Sequence, residues 1–209
     1  MCLTIDEEGM AKTAERKLAI ARRMHNLAIQ NYRLRPEDLV FDPLTFTLAT
    51  GEDVWRDSAV ETLKGLRAIK TELPGVHTCL GVSNVSFGLA QPARKLINSV
   101  FLHHAVKHGL DMAIVNPSML RIYSTIEPSL LKAVEDVVLD RDPEATARLV
   151  DLAESLKADT QDSKQPSAGA SQVEKRSEKS VEERLSDAMV SGDTLYLEED
   201  IRKALDKYS

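Results

Sequence analysis

Val76-His77-Thr78-Cys79-Leu80-Gly81-Val82, followed by Ser83-Asn84-Val85-Ser86-Phe87-Gly88, is the stretch on which the fold turns. Its first seven residues are rich in β-branched and apolar types and lack strict polar alternation, the signature of a short strand covered on both faces. Amphipathic helices flank it. Upstream, residues 56–72 place Val60, Leu63, Leu66 and Ile69 on one face, with Asp57 or Ser58 as N-cap and Pro74-Gly75 as terminator. Downstream, a helix is predicted over about 92–108, with Pro92 near its start and Gly109 as its stop.

The same alternation extends outward. Residues 10–31 carry Leu18, Ala21, Leu27 and Ala28 among Lys and Arg, which suits a helix, and Arg35-Pro36 breaks it. Leu39-Val40-Phe41 is a short apolar run ended by Asp42-Pro43, and Met112-Ala113-Ile114-Val115 is another, ended by Asn116-Pro117. Helical patterns resume at about 127–139 and 143–157. Short apolar strands alternating with helices imply an α/β fold with a parallel sheet. Each strand closes on a polar residue: Asp42, Asn84 just past its strand, and Asn116. In such folds the carboxyl ends of the strands build the ligand site.

Composition narrows the function classes. The 209 residues include 33 acidic and 27 basic side chains, a net charge of -6, and one Trp. A mildly acidic chain without a basic stripe is poorly suited to gripping a phosphate backbone, so no nucleic-acid partner is expected. No apolar run approaches the ~20 residues that cross a bilayer. The acidic start Met1-Cys2-Leu3-Thr4-Ile5-Asp6-Glu7-Glu8 lacks a basic leader, so a cytoplasmic protein without a membrane partner is expected. Cys2 and Cys79 are too few for a disulfide framework.

Residues 158–180 are rich in Ser, Gln, Lys and Ala and nearly devoid of large apolar side chains, so a flexible linker is predicted there. After it, Val181, Leu185, Ala188 and Met189 mark one amphipathic helix. Gly192-Asp193 marks a turn, and Leu195, Leu197, Ile201 and Leu205 mark a second helix. Two such helices cannot form a core of their own.

Several residues could carry chemistry. A carboxylate at Asp42 can accept two parallel N–H bonds from an amidine-like edge, or can merely cap a nearby backbone amide. Asn84 offers both a donor and an acceptor, able to follow a ring nitrogen whose charge changes, or it can form an Asx turn; Asn116 has the same two readings. His104 and His108 stand at a metal-ligand spacing beside His103, yet no acidic partner completes a motif, so structural roles are expected and no metal site. Cys79 reads as a small buried hydrophobe. Asp6-Glu7-Glu8 is a strand-end acidic cluster facing a ligand or a solvated loop.

Taken together, Asp6-Glu7-Glu8-Gly9-Met10-Ala11-Lys12-Thr13, Phe41-Asp42-Pro43-Leu44-Thr45-Phe46, Leu80 through Leu89, Leu96-Ile97-Asn98-Ser99-Val100-Phe101-Leu102 and Gly109 through Pro117 resemble the pterin-binding domain of cobalamin-dependent methionine synthases. The resemblance covers about residues 3–140, and residues 181–209 look like the opening of the helical cap before that family's cobalamin-binding module. It implies that residues 1–157 are the C-terminal half of a (β/α)8 TIM-type barrel, from the end of strand five through helix eight and a following helix. It further implies 5-methyltetrahydrofolate as substrate, with its N5-methyl group presented to cob(I)alamin for transfer to homocysteine. In that family the aspartate matching Asp42 bonds the pterin's amide–amidine edge. The asparagine matching Asn84 stabilises charge at N5 as the methyl leaves. Groups near Ser86 and Asn116 would line the pocket. Cobalamin would be bound mainly by a module this stretch lacks, and zinc belongs only to the full-length family.

The first half of the barrel, the zinc-binding domain and the cobalamin motif are missing from the sequence. The chain alone is therefore expected to be marginally stable or self-associating, and inactive as a methyltransferase. Two alternatives follow: a truncated or split-gene folate module needing a complementary N-terminal half, and a corrinoid-protein methyltransferase of the same barrel family. Dihydropteroate synthase, a third pterin barrel, places a lysine in its seventh-strand motif and Arg-x-His at the eighth. Here those positions read Ser83-Asn84-Val85-Ser86 and Val115-Asn116-Pro117.

Overall fold

A computed structural model describes residues 1–48, 55–89, 91–142, 144–145, 179–191 and 196–208. The chain forms two compact units, Met1–Lys157 and Ala158–Ser209. Nearly all of the expected helix at 143–157 and of the expected linker at 158–180, and the expected turn at Gly192-Asp193, lie outside the described residues.

In the first unit four strands, β1 (Cys2–Leu3), β4 (Val40–Asp42), β5 (His77–Gly81) and β6 (Met112–Ile114), pair in parallel in the order β1-β4-β5-β6. The register sets Leu3 beside Asp42, Phe41 beside Thr78 and Gly81 beside Ile114. Helices α1 (Ala14–Tyr32), α2 (Ser58–Glu72), α3 (Gln91–Lys107) and α4 (Pro128–Val138) lie between and after the strands. This is the α/β alternation that periodicity predicts, because parallel neighbours need a crossover and a helix supplies it.

The start of the chain departs from expectation. Residues 10–13 do not join the first helix; instead β2 (Ile5–Asp6) and β3 (Gly9–Met10) form an antiparallel hairpin. Gly9 takes φ +110°, open to glycine at little cost, and the Glu8 amide donates to Asp6 Oδ1 at 2.9 Å. Helix α1 begins only where Thr13 can cap it, its hydroxyl accepting from the Arg16 amide at 3.3 Å. It ends on Arg33 in the left-handed conformation, and the Leu34 amide reaches back to the Ala28 carbonyl at 3.2 Å. At α4, Glu127 is the cap, accepting from the amides of Ser129 and Leu130, each at 3.0 Å.

Packing follows the apolar faces. Leu63, Leu66, Leu80, Ile97, Phe101 and Val134 belong to a core shared by α2, β5, α3 and α4. Ala21, Phe41, Ile69 and Val76 form a second cluster beneath α1. The sheet ends exposed at β6, where Met112 is 42% and Ile114 60% accessible although both are apolar.

In the second unit, α5 (Val181–Ser191) starts at a reciprocal cap. The Ser180 hydroxyl accepts from the Glu183 amide at 3.2 Å, and Glu183 accepts from the Ser180 amide at 2.8 Å. Helix α6 (Leu197–Tyr208) is tied to it by Arg184, whose Nε donates to the buried Asp200 at 3.0 Å.

Two outcomes follow. A methyl group at Gly65 would lie 2.8 Å from Cδ of the buried Lys17 on α1. A helix-interior glycine ordinarily gains about 1 kcal/mol on becoming alanine. Here the overlap, at about 1–3 kcal/mol, reverses the sign, so Gly65→Ala lowers the urea midpoint rather than raising it. At the sheet edge, Ile114→Lys reduces self-association in sedimentation without lowering helix content by circular dichroism, because a charge on an exposed strand blocks edge pairing.

Candidate functional site

The parallel sheet carries Asp42, Asn84 and Asn116 to one end, since each follows or closes its strand in the same direction. The opposite end is occupied by cohesion. There Asp111 accepts from the Thr78 amide at 2.7 Å and from the Lys70 ammonium at 3.0 Å. Its charge is consumed within the protein.

Asp42 closes β4 half-buried. Its Oδ1 accepts from the Leu44 amide at 2.8 Å, which is the capping role open to a carboxylate at this place. Among the described residues no donor is bonded to its other oxygen, so one acceptor remains for an external N–H. Burial raises the Asp42 carboxyl above the ordinary carboxylate range, against the opposing pull of the Leu44 amide and the Lys17 ammonium.

Beneath this loop lies Lys17, fully buried. Its Nζ donates to the carbonyls of Ala11 at 2.9 Å, Pro43 at 2.6 Å and Leu44 at 3.2 Å, and sits 4.9 Å from the Phe46 ring centre. Three donors meet three acceptors, as a buried ammonium requires. Desolvation nevertheless pulls its pKa from 10.5 to about 8, with Asp42 and Glu61 acting in the opposite sense. Leu44 has φ +66°, a left-handed conformation costing a non-glycine residue roughly 1–2 kcal/mol. It is held there from three sides: Asp42 on its amide, and Lys17 and Thr62 on its carbonyl, Thr62 at 2.9 Å.

Asn84 stands in the 3-10 turn Val82–Ser86 that follows β5. It is exposed, and among the described residues its carboxamide has no hydrogen-bond partner. The amide rests over Gly81, where a Cβ would lie only 2.9 Å from Nδ2. The Asx-turn reading is thus not what this side chain does. Ser86 is placed differently: it is buried, its hydroxyl donating to Asn98 Oδ1 at 2.7 Å and accepting from Arg94 Nε at 3.2 Å. Its side chain braces the turn rather than opening onto solvent. Asn116 does form the Asx turn, accepting from the amide of Ser118 at 3.0 Å and from its hydroxyl at 2.9 Å.

The remaining candidates are engaged internally. His103 stacks on Tyr123 at 3.6 Å between ring centres, His104 bonds Glu135 at 2.9 Å, and His108 bonds the His104 carbonyl at 2.7 Å. Asp6 and Glu8 bond Arg16, and Glu7 bonds Arg23, so the acidic cluster faces α1. Burial raises the Cys79 thiol and the side chain packs within β5, matching an inert hydrophobe. A cavity of about 300 Å³ beside α4 is lined by Ser129, Lys132, Ala133, Asp136, Asp142 and Ala145, none of them a strand-end residue.

Sequence reasoning missed Lys17, Arg94 and Asn98. One signal was available for the first. Lys17 falls one helical turn before Ala21 on the apolar face of α1, where a charge is out of place unless it is paired. Arg94 and Asn98 are one turn apart on α3, and nothing in the pattern says that they meet the turn after β5.

Lys17 gives the protein a pH signature. Its folded pKa of about 8 lies below the unfolded 10.5, so the unfolded chain binds more protons between those values. Stability therefore rises with pH across that window, by up to about 3 kcal/mol. Urea titrations on either side of the window should show the rise, and Lys17→Met should abolish it.

The family model described as pterin binding enzyme matches residues 2–116. The chain is similar to the methionine synthase of Mycobacterium tuberculosis (strain ATCC 25618 / H37Rv), at 36% identity over 98% of this chain and 17% of that protein. It is likewise similar to the methionine synthase of Mycobacterium leprae (strain TN), at 42% identity over 68% of this chain and 12% of that protein. The chain thus spans less than a fifth of the length of these curated relatives. With the family match running through all four parallel strands, this chain belongs to the pterin-binding enzymes, and within them it is similar to methionine synthases.

Proposed function

We propose that the first unit is the strand-five-to-eight part of a (β/α)8 barrel that binds 5-methyltetrahydrofolate and presents its N5-methyl group for transfer. The observation that carries this reading is the pair Asp42 and Asn84. They stand at the carboxyl ends of neighbouring parallel strands, each with hydrogen-bonding capacity left over. The free Asp42 oxygen accepts from the pterin's amide–amidine edge, a charge-assisted bond that fixes the ring's orientation. Asn84 faces N5. A methyl on a tertiary amine is a poor electrophile until N5 carries positive charge, and a carboxamide can accept from N5–H⁺ or donate to the neutral nitrogen after the methyl has left. Ser86, Asn98 and Arg94 hold the turn that aims Asn84, and the Asn116 turn closes the next strand end.

The methyl acceptor of the family reading is cob(I)alamin, which supplies a nucleophile that no amino-acid side chain matches. Among the described residues His103, His104 and His108 do not form a set of corrin ligands: His103 stacks on Tyr123, His104 bonds Glu135 and His108 bonds the His104 carbonyl. Nor do they gather three metal-ligating side chains for zinc. In the family reading both groups belong to other modules, and this chain's part is to bind, orient and polarise the folate. The match to methionine synthase over 98% of the chain, helices α5 and α6 included, favours this reading over a stand-alone corrinoid-protein methyltransferase.

A second reading concerns assembly. Among the described residues β1 and β6 each have one hydrogen-bonded sheet neighbour, and β6 is apolar and exposed. These edges fit a complementary half supplying strands one to four, with which the chain forms a closed folate site. The reactions are then properties of the complex.

Calorimetric titration of 5-methyltetrahydrofolate into the full chain, with and without that half, tests both readings. Asp42→Asn should weaken binding by about 10-fold or more, since a charge-assisted bond contributes about 1.5–3 kcal/mol. Asn84→Ala should leave affinity within a few-fold and slow methyl transfer to added cob(I)alamin by roughly 100-fold. Unchanged affinity in Asp42→Asn would remove the folate site from this end of the sheet.

A further inference from the structure

We propose that Lys17 is a positioning residue for Asp42: by clamping the carbonyls of Pro43 and Leu44 from beneath, its ammonium sets where the carboxylate points and couples that setting to the lysine's own proton. The inference rests on the reading of Asp42 as the pterin-edge acceptor, and it adds a control that neither residue's own chemistry supplies.

Geometry carries the argument. Asp42 closes β4 and Pro43 and Leu44 follow it, and Lys17 bonds the carbonyls of those two. The Asp42 carboxylate is bonded in turn to the Leu44 amide at 2.8 Å. The Pro43 carbonyl and the Leu44 amide belong to one peptide group, so the ammonium and the carboxylate hold the same peptide plane. Leu44 sits at φ +66°, so the loop is not at its own conformational minimum and needs outside contacts to stay. The lysine cannot move aside. Its stem lies against Gly65 on α2, so close that a Cβ there would meet it at 2.8 Å, and its head also holds the Ala11 carbonyl at 2.9 Å.

A protonated ammonium has three N–H donors for these three carbonyls. A neutral amine has two, and its lone pair then faces a carbonyl oxygen. Deprotonation therefore frees one carbonyl of the clamp and loosens the loop that holds Asp42. The charged groups around Lys17 are Asp42 at the end of β4 and Glu61 on α2. Glu61 is itself bonded to the Ala14 amide at 2.7 Å and to Lys64 at 2.9 Å. On its own helix, Arg16 is turned to Asp6 and Glu8. Burial brings the lysine's titration to about 8, inside the range where the release can be observed.

The experiment is a pH titration by NMR of the isotope-labelled full chain, from about pH 6 to about pH 11, a range that spans the lysine's shifted and ordinary values. It follows the Lys17 side chain, the Asp42 carboxyl carbon and the Leu44 amide together. The Asp42 and Leu44 signals should inflect at the midpoint of Lys17, wherever that midpoint falls. Methyl signals of Leu130 and Val134 in the other core should not, which separates positioning from a general loosening of the fold. Lys17→Met should abolish the inflection. If that variant does not fold, Gly65→Ala, which crowds the stem, should move the Lys17 midpoint and carry the Asp42 signal with it. Asp42 and Leu44 signals that stay flat while Lys17 titrates would overturn the proposal. A parallel titration with 5-methyltetrahydrofolate should show wild-type affinity falling about 10-fold through the same midpoint relative to Lys17→Met, the ligand's own ionisation being common to both. No folate binding at any pH would defeat the functional reading of Asp42. The NMR result would still decide the role of Lys17.

Discussion

A single buried charge organises the carboxyl end of this sheet. Taking an ammonium out of water costs several kcal/mol even after the surroundings relax, and Lys17 is fully buried. The cost is offset only where every N–H finds an oxygen. The three that do so belong to Ala11, in the turn before α1, and to Pro43 and Leu44, after β4. One side chain thereby fixes the position of two loops against a helix. Helix α2 contributes by omission, since Gly65 leaves the space through which the stem passes. The strained backbone of Leu44, the half-buried carboxylate of Asp42 and the ring of Phe46 are all arranged around that one group.

The two ends of the sheet use polar groups in opposite ways. At the amino end, Asp111 accepts from Lys70 and from the backbone and hydroxyl of Thr78, so its valence is spent on joining β5, β6 and α2. At the carboxyl end, Asp42 keeps an acceptor in hand and Asn84 keeps a whole carboxamide. A parallel sheet makes this division possible, because every strand delivers its last residue to the same side. Ser86 and Asn116 show the intermediate case. Their polar atoms lie at the carboxyl end but are taken up in holding a turn, so they contribute through the backbone they fix.

Much of the architecture was legible because it rests on local patterns. The apolar run 76–82, the 3.6-residue periodicity of 56–72 and the stop at Gly109 name their elements without tertiary information, and the observed boundaries fall within two residues. Asp42 and Asn84 could be placed at strand ends for the same reason. The hairpin at Ile5–Met10 was not legible: two strands of two residues have no periodicity, and their turn is stabilised by Arg16 and Arg23 from a helix still to come. Lys17 was hidden more deeply. Among the many basic residues of α1 it differs from Arg16, Arg22 and Arg23 only in which way it points, and that direction is set by carbonyls up to 27 residues away. Nor could composition say that Ser86 is buried while Asn84, two residues earlier, is exposed. That outcome depends on Asn98 and Arg94 from the next helix.

These features carry a thermodynamic consequence. A buried charge, a left-handed leucine and a carboxylate raised by burial all lie within one loop and the helix beneath it. Each is a cost in a fold whose net stability is of order 5–15 kcal/mol. None is needed to form a parallel sheet: the sheet packs on the apolar clusters around Phe101 and Val134, and around Phe41 and Ile69. Relaxing the loop by neutralising Lys17 would therefore favour the folded state while spoiling the aim of Asp42. On the proposed reading, stability and ligand readiness pull in opposite directions at this one residue, as expected where a group is held in place for binding rather than for cohesion. The concentration of these costs around Asp42 supports the proposed site at this end of the sheet, because strain persists only where the surrounding structure overdetermines it.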